Sequence, residues 1–269
     1  MTREAETAAL RYVESVSLPE PSPGLKAPGD AARTPGSAFD AAKDQATVVG
    51  SDVISFVKGV TPEQRNDIVN AALLAQLVAN KKVAEPTTLP DVVRWYEEYF
   101  DVLSHIGFVI QDKSFAAYEE KSRDFEAHKA ILELAAVLLA GTPGALAVLK
   151  TTLEALEKMA GDSPWIILYE RESRSANTAR FQVSLVNQDE NAPFLLSLIA
   201  FGLEAKSAVK QVLFFKFRKN EVKLQHHSGK VTINAPVLAS VREQITQRLI
   251  PFTTEYVQHL PDLGASVSG

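Results

Sequence analysis

Cysteine is absent from this chain of 269 residues, and the absence removes several chemistries at once. Disulfides, thiolate nucleophiles, iron–sulfur clusters and Cys-ligated zinc are excluded. So is a membrane anchor made by S-acylation. No apolar run reaches the roughly 18 residues of a membrane-spanning helix. The nearest approach, residues 130–153, is interrupted by Glu133 and by Gly141-Thr142-Pro143-Gly144. The first residues form no apolar core of signal-peptide length. The expectation is a cytoplasmic protein, or one exported without a classical signal peptide, with no transmembrane helix. Basic runs are missing too. Lys and Arg are scattered and the net charge is −5, which argues against a nucleic-acid partner.

Catalytic signatures are equally scarce. There is no Gly-rich phosphate loop, no nucleophile elbow and no H-E-x-x-H. Of the five histidines, only His226 and His227 are neighbours. Adjacent strand side chains point to opposite faces, so the pair converges poorly on a metal. Before Ser228-Gly229 it reads as the end of a hairpin. Glu97-Glu98, Glu119-Glu120 and Glu170/Glu172 read as surface charge. The expectation is a protein that is not an enzyme, with no cofactor and no metal.

What is present is pattern. Residues 4–16 read as a short helix. Residues 17–37 hold five prolines, each removing a donor and restricting the residue before it, so this stretch reads as an extended arm. The division expected is 1–37, N-terminal helix and arm, followed by one α+β domain over 38–264. A helix is expected over 38–58, with Val48, Val49, Val53, Ile54 and Val57 near one face. Thr61, Pro62 and Gln64 give a helix start with a capping box, running to about Val83. The next helix spans about 90–105 and stops at Gly107, with Trp95, Tyr96, Tyr99 and Phe100 crowded together. A strand is expected in 108–118.

Two very apolar helices follow, about 119–140 and 143–160, joined by Gly141-Thr142-Pro143. From Trp165 the period changes to two. Residues 165–171, 179–187, 194–205, 211–218 and about 221–226 read as strands with short connections, an antiparallel meander. A helix over about 236–259, containing Pro251, closes the chain. The order is that of an α+β protein: a helical N-terminal half with an αα-hairpin packed on the meander, closed by a C-terminal helix.

Four stretches together resemble the Evf-type virulence-factor family. They are Asn70 to Leu77, Trp95-Tyr96 through Tyr99, Val102 to Gln111, and Phe214-Phe215 with the late helix Val241 to Leu249. The resemblance covers about residues 40–260. It implies a non-enzymatic α/β-class effector, linked to bacterial persistence or toxicity in an insect gut. Membrane association through an acylated cysteine does not carry over, because this chain has none.

The function expected is therefore a binding or effector protein that holds an apolar ligand or contacts a membrane. The partner would be a fatty-acyl ligand or a membrane surface. Trp95, Tyr99, Leu138, Leu146, Phe194 and Phe201 are the candidate contact residues. Two alternatives stand beside it. One is a membrane-active toxin that inserts the 130–156 hairpin. The other is an assembly protein whose arm docks on a second copy to make a homo-oligomer.

Overall fold

The computed structural model describes residues 2–21, 39–118, 124–159, 161–188, 194–209, 212 and 216–260. Most of the proline-rich arm, the start of the expected 119–140 helix and the Phe214-Phe215 pair lie outside the described residues.

The fold is α+β. Helix α1 (Thr2–Ser15) precedes a hairpin of β1 (Gln45–Val49) and β2 (Asp52–Phe56), then α2 (Pro62–Lys82), α3 (Leu89–His105), β3 (Phe108–Ile110), β4 (Ala116–Ala117) and β5 (Asp124–Glu126). Helices α4 (Ala127–Leu138), α5 (Pro143–Lys158) and α6 (Pro164–Ser173) come next. The remainder is β6 (Arg174–Ser175), β7 (Thr178–Asn187), β8 (Leu195–Ala205), β9 (Lys216–Arg218), β10 (Val222–Ile233), α7 (Ala235–Tyr256) and β11 (Val257–His259).

One sheet organises the molecule, in the order β11-β1-β2-β7-β8-β10-β3, with β4 also on β10 and β6 on β7. All its pairings are antiparallel except β2 with β7, which is parallel. Helices cover both faces. Side chains of α1, α2, α3 and α7 share one core with one face of the sheet. Those of α4, α5 and α6 share a second core with the other. A central strand buried on both faces does not alternate in hydropathy, and β7 and β8 are buried along nearly their whole length.

Several local expectations are corrected. Residues 38–58 are not a helix: they hold the β1–β2 hairpin. Valine and isoleucine are stiff at χ1 and suit a pleated strand. Val49 faces Asp52 across the two-residue turn Gly50-Ser51. Gly50 takes φ +52° there, and a Cβ at that position would meet Gln76 Oε1 at 2.3 Å. Residues 165–171 are not a strand but most of α6. Pro164 begins that helix, and Ile166, Tyr169, Glu170 and Ser173 are its buried side.

In the meander, β8 pairs directly with β10, while β9 leaves to pair with β5 in a separate two-stranded sheet. His226 and His227 sit inside β10, not at a hairpin end, opposite Phe201 and Ala200. Finally, the last helix stops at Tyr256, and residues 257–259 pair with β1 as an edge strand.

The helix expected from 119 begins only at Ala127, after the strand β5, whereas the start signals of α2 and α3 hold. Thr61 and Gln64 exchange both hydrogen bonds of a capping box at the start of α2. Thr88 and Asp91 do the same for α3. Gly107, φ +104°, ends α3 and leaves no room for a Cβ, with Asn234 O only 3.1 Å from where it would sit. At the outer side, α1 lies on α7. Arg248 donates to Val13 O and Val16 O, satisfying carbonyls at the end of α1, and the Tyr12 ring stacks on His105 at 4.0 Å.

Candidate functional site

The two faces of the sheet present different chemistry. On the α2–α3 side, β7 turns Thr178, Arg180, Gln182 and Ser184 inward, all buried. Its other side carries Ala179, Phe181, Val183 and Leu185, also buried. Burying polar groups requires partners, and the helices supply them. Asn80 Oδ1 accepts from Trp95 Nε1 at 2.8 Å and from Arg180 Nη2 at 2.9 Å. The Arg180 guanidinium lies 4.5 Å from the Trp95 ring centroid. Tyr96 OH reaches Phe181 O and Phe201 O on β7 and β8. Gln182 Nε2 donates both to Tyr99 OH, 2.9 Å, and to Asp52 Oδ2, 2.7 Å. Ser184 Oγ donates to the same Asp52 oxygen at 2.9 Å. At the hairpin turn, Gln76 Oε1 accepts from Ser51 N and its Nε2 donates to Val49 O at 2.7 Å.

Burial in this seam shifts its ionisable groups. The Asp52 carboxyl is pushed up to about 7 by burial, partly offset by Gln182 and Ser184. Tyr96 and Tyr99 are raised, again chiefly by burial, and Arg180 is lowered for the same reason. This seam departs from the oily interior that the apolar helices lead one to expect. The signal was present as the alternation Arg180, Gln182, Ser184 within an otherwise apolar strand.

The opposite face is built differently. Ile131, Leu149, Leu153 and Leu156 pack with Phe181, Phe201, Val183 and Leu185 in an apolar core, where the Phe181 and Phe201 rings stack at 5.0 Å. One hydrogen bond, Ser55 Oγ to Thr152 Oγ1 at 3.0 Å, ties α5 to β2. Neither α4 nor α5 has a side-chain cap at its N-terminus. The tip of this hairpin is unusual at its outer surface. Residues 134–149 carry no charged side chain. Ala136, Val137, Ala140, Pro143 and Ala147 are exposed there, Val137 to 79%. Leu134, Leu138 and Leu146 are half-buried beside them. The nearest charges, Glu133 and Lys150, lie just outside the segment at its two ends.

The candidate contact residues fall into separate places. Trp95 and Tyr99 stack on each other at 5.5 Å in the polar seam. Phe201 lies across the sheet in the second core. Phe194 is half-buried against the first core, beside the start of β8. Leu138 and Leu146 alone share the hairpin tip. Two surface grooves complete the picture. One, about 340 Å3 between α2 and α7, is lined by Glu63, Asp67 and Arg242, which pair with one another. The other, about 570 Å3, is lined by Arg94, Glu97, Glu204 and Lys223. There Glu204 pairs with Lys223 and accepts from Leu89 N. Among the described residues no group of three His, Asp or Glu is placed to hold a metal. No described helix is long and apolar enough to cross a membrane.

No known protein-family model matches the chain, and no curated protein does. Among solved structures it is similar to one titled delta-endotoxin. The identity is 15% and the TM-score 0.35, over 72% of this chain and 89% of that one. It is also similar to a structure of the Evf virulence factor, at 10% identity and TM-score 0.29, over 83% and 87%. The resemblance read from the sequence is thus met by a slight structural likeness and by no family model. Likenesses this slight carry no functional argument.

Proposed function

We propose that this protein acts by binding, as a non-enzymatic effector, and that the uncharged tip of the α4–α5 hairpin is its contact with a lipid surface. The observation that carries this reading is the stretch 134–149, uncharged and apolar on its outer as well as its inner side. A solvent-facing helix side is ordinarily polar. Exposed apolar patches mark contact sites. The tip is small, so the contact is shallow. Full burial of a valine gives about 1.5–3 kcal/mol, and a few such side chains give weak, reversible attachment comparable to a single acyl chain. That suits a protein lacking a cysteine for acylation.

The test is co-sedimentation with phosphatidylcholine vesicles. The wild type is expected to partition to the vesicles, and Val137→Asp to lose most of that partition with its circular dichroism unchanged. Equal partition of the two proteins, or none by the wild type, contradicts the reading.

A further inference from the structure

We infer that Asp52 is a buried proton switch: uncharged, it fastens the β1–β2 hairpin to β7 and α3, and its ionisation loosens that layer. The inference does not depend on the lipid contact, which lies on the other face of the sheet. It begins from geometry. Asp52 is fully buried at the first position of β2, opposite Gln182 of β7. Its Oδ2 accepts two hydrogen bonds from neutral donors, Gln182 Nε2 and Ser184 Oγ. Its Oδ1 has no partner, and neither does the buried Gln182 Oε1. Two acceptors without a donor in one buried place point to a missing proton. A carboxylic acid supplies one, because the neutral form is a donor as well as an acceptor. Oδ2 is already occupied twice, so the geometry assigns the proton to Oδ1.

The surroundings offer little to an ionised Asp52. From β7 it meets the amide of Gln182 and the hydroxyl of Ser184. From α3 come the phenols Tyr99 and Tyr96, and from α6, through the sheet, Tyr169. From α2, Gln76 is committed to Ser51 and Val49. Arg180, on the same face of β7, is engaged by Asn80 and the Trp95 ring. Charge on Asp52 therefore stands among neutral groups in a dry interior, which is costly. The effect passes along named bonds: Asp52 to Gln182, and Gln182 to Tyr99 on α3.

The sign follows from linkage. The folded-state value, about 7, lies above the ordinary 3.8. Between those values the unfolded chain is ionised and the folded chain holds its proton. The contribution of Asp52 is therefore complete below about pH 4 and is lost as pH rises through about 7.

The experiment compares the wild type with Asp52→Asn, which keeps two acceptor bonds and a donor but cannot ionise. Thermal midpoints are measured at pH 5 and pH 8.5. Amide exchange over residues 62–105, corrected for intrinsic rates, is followed at both. The expected result is an advantage of the variant over the wild type that grows by several degrees on going to pH 8.5. Faster exchange of the wild-type α2–α3 layer at the higher pH is expected with it. A difference that does not change with pH overturns the inference. Should Asp52→Asn not fold, infrared spectroscopy of the wild type decides. A protonated-carboxyl stretch present at pH 6 and gone at pH 8.5 supports the switch, and no such band at pH 6 overturns it.

Discussion

The α2–α3 layer and the α4–α5 layer cover opposite faces of the same sheet, and they are attached by different means. The first starts both its helices with reciprocal capping boxes and ties itself to the strands through Gln76, Asn80, Tyr96 and Tyr99. The second has helix starts without side-chain caps, side-chain bonds to the sheet side from Ser55 to Thr152 and from Tyr118 to Glu133 among the described residues, and otherwise mostly apolar packing. Hydrogen bonds are directional and specify one arrangement, whereas apolar contact is tolerant of sliding and exchange. The difference teaches that the layer with an oily outer tip is also the layer least fixed to the molecule. That combination suits a contact element, and the polar-locked layer suits a scaffold.

The comparison is sharpened first by truncating an aromatic in the locked layer. Trp95→Ala removes a fully buried ring and leaves Asn80 and Arg180 short of a partner. A loss of about 3–5 kcal/mol in denaturant unfolding is expected. Leu146→Ala, half-buried on the hairpin, is expected to cost about 1 kcal/mol.

The second test removes polar ties one at a time. Gln76→Ala strands Ser51 N and Val49 O in the core and is expected to cost about 2–3 kcal/mol. Thr152→Val on the other face removes the bond from Ser55 and the bond that Thr152 Oγ1 donates to Val148 O within α5, and is expected to cost about 1 kcal/mol. Equal costs for the two would break the comparison.

The third uses pH. His226, His227 and His259 are all held below the ordinary histidine value, chiefly by burial. Just below about pH 6.5 the unfolded chain binds protons that the folded chain refuses, so their contribution falls as pH drops through that window. Asp52 acts with the opposite sign. In Asp52→Asn the opposing contribution of Asp52 is gone, and the variant's stability is expected to rise between about pH 5 and pH 6.5. A flat profile there contradicts this assignment.

The smallest effect expected is Val137→Asp on stability. The side chain is 79% exposed, and a surface change of this kind stays within about 0.5 kcal/mol. Its lipid partition is nevertheless expected to collapse, and that separation of two readouts is what a contact residue requires.

Much of the architecture was legible in the sequence, for identifiable reasons. Thr61-Pro62 and Gln64 write a helix start in local chemistry, and Gly107 writes a stop. Long strands such as β7 and β8 show in their apolar runs. The oily hairpin tip was legible as composition. Three features were hidden by longer-range causes. Residues 45–56 are β-branched and apolar at spacings that suit a helix face as well as two short strands, and pairing with β7 and β11 decides between them. Trp165-Ile166-Ile167 carries strand-like residues, but Pro164 starts a helix whose buried side tertiary packing selects. The polar seam was invisible because Arg180, Gln182 and Ser184 look like a solvent-facing edge. Their partners Asn80, Tyr99 and Asp52 lie 83 to 132 residues away in the chain.

The most direct measurement is amide hydrogen exchange under native conditions, resolved over residues 62–105 and 127–158. The account predicts that α4 and α5 exchange through local opening well before global unfolding, while α2 and α3 exchange only with the whole molecule. Matching protection in the two layers, or earlier opening of α2 and α3 at pH 5, would contradict it.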